Sequence, residues 1–257
     1  MKLLFWNVNG IRSILKKEIK LKYNLQSYVY KHNFDFVCLN ETKICKTEIN
    51  KIDFLEEYNY KYHSHSCIKK GYSGVSIITK HKPEKQHFLE NDTEGRIVCL
   101  EYKKFILLCV YQPNSGAKLN RLEYRTQIWD ILFLNFVISL LKLNKQFILV
   151  GDMNVARTDI DIHNSSKHLH SAGFTIEERI NFENFLKKTK LLDIWRDRNP
   201  KKIEYTYFDY RSKARLRNAG WRIDYILCSS GLNEKIKKIK FLNEINGSDH
   251  IPIFLEF

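Results

Sequence analysis

Short continuous apolar runs that stop abruptly on polar residues recur along this chain, the pattern of strands buried on both faces. Lys2 to Val8 ends in Asn7 and, one residue further, Asn9, before Gly10 permits a sharp turn. Residues 34–40 run into Glu41, KKGYSG at 69–74 turns into VSIITK, and RIVCLEY and FILLCVY follow, the second leading to Tyr111 and Asn114. The run at 147–155, FILVGDMNV, delivers Asp152 and Asn154. Open α/β sheets gather their chemistry at the carboxyl ends of strands, and these stops are of that kind. Side chains of extended chain alternate faces, so Asp152 and Asn154 share one. That puts an anionic acceptor able to take a proton from water beside a neutral amide able to donate to a phosphoryl oxygen. By itself GDMN reads equally well as a turn.

Longer spacing marks helices. Residues 12–31 place Ile14, Leu15, Ile19, Leu21, Leu25, Tyr28 and Val29 at roughly helical intervals, with lysines on the solvated side. Residues 119–143 carry the clearest helix, its broad apolar face marked by Leu119, Leu122, Tyr124, Ile128, Trp129, Leu132 and Phe136. Thr175 with Glu178 three residues on predicts a capped helix start, and a basic helix is expected over 232–242. The apolar stretch 131–141 is interrupted by Asn135 and Ser139 and falls short of the ~20 residues that span a bilayer, so it reads as a buried helix. Through YNYKYHSHSC at 58–67, His63, His65 and Cys67 fall on one face of a strand. That spacing is open to a soft metal, although polar alternation on an edge strand is its commoner meaning.

Charge changes the picture more than bulk composition does. With 257 residues, 44% of them hydrophobic, and no linker or repeat, the chain reads as one domain over 1–257. Its formal net charge of +14 points to a polyanionic partner, nucleic acid before an anionic membrane. From Tyr205, aromatics interleave with Arg211, Lys213, Arg215, Arg217 and Arg222, pairing stacking surface with phosphate-binding guanidinium groups. A hairpin with one packed aromatic face and one solvated basic face would look the same. Cys38, Cys99, Cys109 and Cys228 sit inside apolar runs and no CxxC occurs, so disulfides are not expected. The amino terminus turns polar at Asn7, too early for a secretory signal, and an intracellular, unsecreted protein is expected. Asp224 lies inside WRIDYIL, where an unpaired carboxylate is costly, and His250 is its natural partner.

Taken in order, WNVNGIR, LNETK, KGYSG, EGR, YQPNSG, GDMN, AGFTIEER, GWRIDY and GSDH span essentially the whole chain. They resemble the exonuclease III family of apurinic/apyrimidinic (AP) endonucleases, within the endonuclease/exonuclease/phosphatase superfamily. The resemblance implies a four-layered α/β sandwich, two packed mixed β-sheets flanked by helices. It implies a DNA-repair hydrolase that cuts the phosphodiester 5′ to an abasic site and leaves a 3′-hydroxyl, with 3′-phosphodiesterase and 3′→5′ exonuclease activity expected beside it. By the same likeness Glu41 and Asp249, helped by Asn7, resemble the ligands of Mg²⁺ or Mn²⁺, with Asp152 and Asn154 at the same centre, Asp152 activating water or holding a second metal. Tyr111 and Asn114 match groups at the scissile phosphate, and Asp224 and His250 the hydrogen-bonded pair that contacts its oxygens. Tyr207, Trp221 and Ile223 fall where the family forms its pocket for the flipped, baseless sugar.

The implied partner is double-stranded DNA containing abasic sites, met by a monomer without a membrane, in the nucleus of a eukaryote or otherwise in the cytoplasm. Departures touch a ligand role for position 9 and, at positions 117, 168 and 171, the grip on DNA. Asn9 stands where some members carry Asp, Ala117 where some carry Arg, and His168 and Ser171 where several carry Asn. A regulatory or targeting function resting on a basic amino-terminal tail is expected to be missing. GD-x-N and SDH also occur in sphingomyelinases, inositol-phosphate phosphatases and nonspecific deoxyribonucleases of the superfamily; AGF, GWRIDY and the positive charge favour damaged DNA. A catalytically silent DNA-binding domain would not need the full set of acids present here.

Overall fold

Alternation within the apolar runs decides the architecture. In β1 (Lys2–Asn7), Leu3 and Phe5 face one core while Leu4 and Trp6 face another. In β7 (Phe105–Tyr111), Leu107 and Cys109 share that first core while Ile106, Leu108 and Val110 face a third. A strand with apolar side chains on both faces must be covered on both, and that requirement produces layers. The structure, a computed structural model, describes residues 1–20, 22–51 and 54–257.

One sheet joins β1, β2 (Phe36–Asn40), β3 (Tyr60–Ser64), β4 (Val75–Thr79), β11 (Lys238–Phe241) and β12 (Ile253–Glu256) in the order β11-β12-β1-β2-β4-β3. The other joins β5 (Lys85–His87), β6 (Ile97–Glu101), β7, β8 (Gln146–Asp152), β9 (Leu192–Asp193) and β10 (Asp224–Cys228) in the order β5-β6-β7-β8-β10-β9. Both sheets are mixed, with β1 and β2 parallel in one and β7 and β8 parallel in the other. The central core lies between them. Outside the first sheet pack α1 (Ile11–Leu15) and α2 (Leu25–His32), and outside the second α3 (Asp130–Leu141) and α4 (Ile176–Thr189), completing four layers. The short α5 (Ile194–Arg198) and α6 (Ser230–Asn233) add Ile194, Trp195 and Leu232 to the central core. Thr175 and Glu178 form the expected capping box of α4, and the six cysteines are free, with Cys38, Cys99, Cys109 and Cys228 buried.

Several local expectations give way. The helix expected over 12–31 is two helices, because Ile19 and Tyr23 pair backbone to backbone at 2.7 Å and Asn24 starts α2 afresh by accepting the Ser27 N–H at 2.9 Å; Leu21 lies outside the described residues. The helix expected over 119–143 contains a π-helical turn, Tyr124–Trp129, before α3. Its wider turn sends Arg125, Trp129, Phe133, Val137 and Leu140 inward, leaving Ile128, Ile131 and Leu132 39–50% exposed. The stretch 131–141 is therefore buried on one face alone. The basic helix expected over 232–242 is instead the end of α6, a turn and then β11, where Lys238 and Lys240 alternate with Ile239 and Phe241 in register with β12. The strand through 58–67 ends at Ser64, because Gly95 packs against the His65 backbone. His63 bonds Ser76 at 2.7 Å and Cys67 is exposed, and among the described residues the one group of three or more ligand-type side chains lies elsewhere.

Candidate active site

The parallel pairs β1/β2 and β7/β8 bring their carboxyl ends to one rim of the sandwich, where buried amides join the two sheets. Asn40, at the end of β2, accepts the Asp152 backbone N–H at 2.9 Å. Asn7, at the end of β1, donates through Nδ2 to Glu41 Oε1 at 3.0 Å and to Asp152 Oδ2 at 2.9 Å. Asn7 and Asn40 are both fully buried, so these bonds replace water that neither amide can reach. Glu41 and Asn154 both take left-handed backbone, φ 49° and 48°. Such strain is common where a side chain must be aimed, and Asn tolerates it better than Glu. The Asn154 N–H returns to Asp152 Oδ1 at 2.9 Å, its Nδ2 donates to the Gln112 carbonyl at 2.8 Å, and its Oδ1 accepts from Asn114 at 2.9 Å.

Strand β10 runs antiparallel to β8 with Asp224 opposite Asp152. Asp224 Oδ2 meets His250 Nδ1 at 2.8 Å, and the far ring nitrogen, Nε2, stands 3.8 Å from Asp152 Oδ2. Burial opposes charge on His250, but the Asp224 carboxylate outweighs it and holds the imidazole as a cation. Burial, then the nearby Asp224, pushes the Asp152 carboxyl up. Burial also opposes charge on Glu41, yet the Lys43 ammonium at 3.0 Å and the Asn7 amide hold its carboxyl below the ordinary value. Burial, reinforced by Glu41, pushes the Tyr111 phenol up and keeps it a hydrogen-bond donor.

Above these groups opens a cleft of about 740 Å³. Glu41, Tyr111, Asn114, Asp152, Asn154, Asp249 and His250 line its floor and near wall, and Tyr207, Trp221 and Ile223 its apolar side. Asn7 and Asp224 do not line it; fully buried, they hold the groups that do. Asp249 accepts from Asn9 Nδ2 at 3.1 and 3.2 Å, and Tyr207 packs its ring 4.9 Å from that of His250. His168 packs edge-on against Trp221 at 5.0 Å and bonds Ser171, while Ala117 lies on an exposed turn.

The basic stretch after Tyr205 divides. Arg211 and Lys213 are exposed and Arg217 lines the cleft, but Arg222 is fully buried between Asp161 and Asp193 and is no surface for nucleic acid. Extended chain turns Arg222 to the face opposite its neighbours Trp221 and Ile223. Sequence reasoning missed Asn40 and Arg125. Arg125 donates to the Pro113 carbonyl and, at 2.9 Å, to that of Met153, bracing the segments that carry Asn114 and Asp152. Its signal was an arginine four residues before Trp129 and eight before Phe133, in phase with the apolar face.

Glu41, Asp152 and His250 offer ligand-type atoms all within 4.8 Å of one another. His250 spends Nδ1 on Asp224 and carries charge, which leaves oxygen donors: the acids Glu41, Asp152 and Asp249, and amides beside them. The four carboxyl groups of Glu41, Asp152, Asp224 and Asp249 stand with two cations, Lys43 and His250, and the Asp152 carboxyl is pushed up. Such a set fits a hard divalent cation.

A profile of the Endonuclease/Exonuclease/phosphatase family matches residues 4–250. The chain is 41% identical over 98% of its length, and 69% of the relative's, to a protein of Dictyostelium discoideum named DNA-(apurinic or apyrimidinic site) endonuclease. It is 36% identical to an exodeoxyribonuclease of Bacillus subtilis over 99% of this chain and 98% of that one. The crystal structure of an AP endonuclease from Leishmania major superposes with a TM-score of 0.88 at 28% identity, covering 99% of this chain and 86% of that one.

Proposed function

The chain belongs to the Endonuclease/Exonuclease/phosphatase family, and from that premise we propose that residues 1–257 act as one catalytic domain, a DNA-repair AP endonuclease. It cuts the phosphodiester 5′ to an abasic site in double-stranded DNA and leaves a 3′-hydroxyl, and the same centre removes 3′ blocking groups and 3′ nucleotides. The observation that carries this reading is the convergence of Glu41, Asp152 and the Asp224–His250 pair beneath a cleft with one apolar side. Among the described residues no helix is long and apolar enough to cross a membrane. The protein works as a monomer in the compartment that holds the DNA.

Nucleases of this family depend on a divalent metal, and here Glu41 and Asp249, with Asp152, Asn7 and Asn154 beside them, would hold Mg²⁺ or Mn²⁺. When bound, that cation supplies positive charge against the charge developing on the phosphate. Asp152, aimed by the Asn7 amide and its own backbone contact with Asn40, takes the proton of the attacking water. His250, oriented and kept protonated by Asp224, donates from Nε2 to a phosphate oxygen. The Tyr111 hydroxyl and the Asn114 and Asn154 amides add neutral donors, which hold the phosphate without a further negative charge to repel it. Tyr207, Trp221 and Ile223 close around the baseless sugar, and a base left on the sugar would collide with them.

The test is incision of a duplex carrying one abasic site beside the same duplex undamaged, with Mg²⁺ and with chelator. Cutting of the abasic strand alone, dependent on the cation and leaving an end that a polymerase extends, is expected. Equal cutting of both duplexes, or none with any divalent cation, would sink the proposal.

A further inference from the structure

Two motifs beside the cleft, YQPNSG and AGFTIEER, hold residues that the reaction above leaves unused. Glu178 is fully buried. As third residue of α4 it completes a capping box, its Oε2 accepting from the Thr175 N–H at 3.2 Å and the Thr175 hydroxyl at 2.8 Å. A helix cap at a surface needs no more than this, and burying a carboxyl group costs free energy unless further donors surround it. Here they do. Oε2 also accepts the Gly173 N–H at 2.7 Å, and Oε1 accepts the hydroxyl of Ser115, 63 residues away and itself fully buried.

Gly173 lines the cleft, and Ser115 is buried directly behind a residue that does. Ser115 follows Asn114, whose Oδ1 accepts the Gly116 N–H at 2.8 Å and whose Nδ2 donates to Asn154. Gly173 takes φ +88°, and a Cβ there would stand 3.2 Å from the Asn154 carbonyl and 3.4 Å from the Trp221 ring. One carboxyl group thus spans the wall that carries Asn114 and the wall that backs Trp221. We propose that Ser115 and Glu178 form a positioning clamp that sets the separation of these walls, and with it the grip on the phosphate and sugar of the substrate. The floor is held separately, by Asn7, Asn40 and Asp224, so the clamp governs binding more than the hydrolytic step. The substrate named here rests on the AP-endonuclease reading; the clamp itself does not.

Ser115→Ala removes the bond between walls and leaves the α4 cap whole, while Ser115→Thr keeps the hydroxyl. Losing one such bond is expected to raise backbone amide exchange about tenfold in residues 114–116 and 171–175 together. KM for abasic duplex should rise about fivefold to tenfold with kcat within about twofold, the melting temperature should fall by a few degrees because the buried Glu178 Oε1 loses its donor, and Ser115→Thr should restore both exchange and KM. Exchange unchanged in either segment overturns the clamp, as does a fall in kcat at constant KM, or a folded Ser115→Thr that behaves like Ser115→Ala. The exchange measurement needs no substrate. A wild-type protein inert on abasic DNA would therefore defeat the functional reading while exchange still decides the clamp.

Discussion

Asp152 carries opposed demands. Its carboxyl group is buried, faces Asp224 across the β8/β10 ladder, and has only amide donors and the more distant His250 to offset its charge. A phosphate placed beside it meets repulsion in the ground state, yet the attacking water needs a base there. Asp152→Asn keeps the shape and removes the charge. Incision of abasic duplex is expected to fall by about 10³-fold or more, while affinity for that duplex in metal-free buffer is kept or improved. Single-turnover incision and band-shift titration at one salt concentration read the two halves separately, since binding to DNA varies steeply with salt. Near-normal incision would remove Asp152 from the chemistry. Lost binding by a folded variant would make it a positioning group for DNA.

Among the elements, the β7/β8 pair tolerates least. Gly151 immediately precedes Asp152, and a Cβ there would stand 2.2 Å from the Val110 carbonyl oxygen and 2.7 Å from the Val110 side chain. The offending atom is backbone of the parallel neighbour, so the strands themselves must part. Gly151→Ala is expected to cost about 2 kcal/mol, roughly 5 °C in melting temperature at this chain length, and to lower incision by shifting Asp152. A melting curve and an incision rate both equal to wild type would show that β7 and β8 separate freely. The π-helical turn before α3 expresses the same economy of position. It turns Arg125 inward, where its guanidinium group ties the exits of β7 and β8 through the carbonyls of Pro113 and Met153.

For the molecule as a whole, the interior charges set the response to acid. Asp161, fully buried, accepts from Arg196 and from Arg222 at 2.6 Å, and Arg222 also meets Asp193 at 2.8 Å. Burial opposes the Asp161 charge, but the Arg222 and then the Arg196 guanidinium groups prevail and hold its carboxyl at about 2. A folded-state value below the unfolded one means stability that is present above pH ~4 and lost as pH falls through ~2, on the order of 2 kcal/mol. Asp161→Asn leaves two buried guanidinium groups short of an acceptor and is expected to be less stable at pH 7. The gap between wild type and variant should narrow as pH falls from about 4 to about 2. Urea unfolding midpoints across that range check the sign, and a gap that stays constant would mean that Asp161 does not titrate there.

What the sequence determined by itself was local. The central strands and their polar stops could be read because a continuous apolar run ending on Asn, Glu, Tyr or Asp says where a doubly buried strand leaves the sheet, and α4 could be read because a capping box is a pattern of four residues. The ordered motifs tied those stops to a family, so that most of the residues lining the cleft floor were named before any contact was known. Tertiary structure decided whatever depends on a partner distant along the chain. Asn40 lies 112 residues from the Asp152 amide that it holds, and Asn7 lies 145 residues from the Asp152 carboxylate. No spacing rule reaches that far. The same holds for Arg222, which joins a basic stretch in sequence yet spends its charge on two buried acids, and for residues 238–241, where pairing with β12 overrides helical spacing. Periodicity reports which side of an element is apolar; only packing fixes what stands opposite it, and a charge takes its role from the charge it faces.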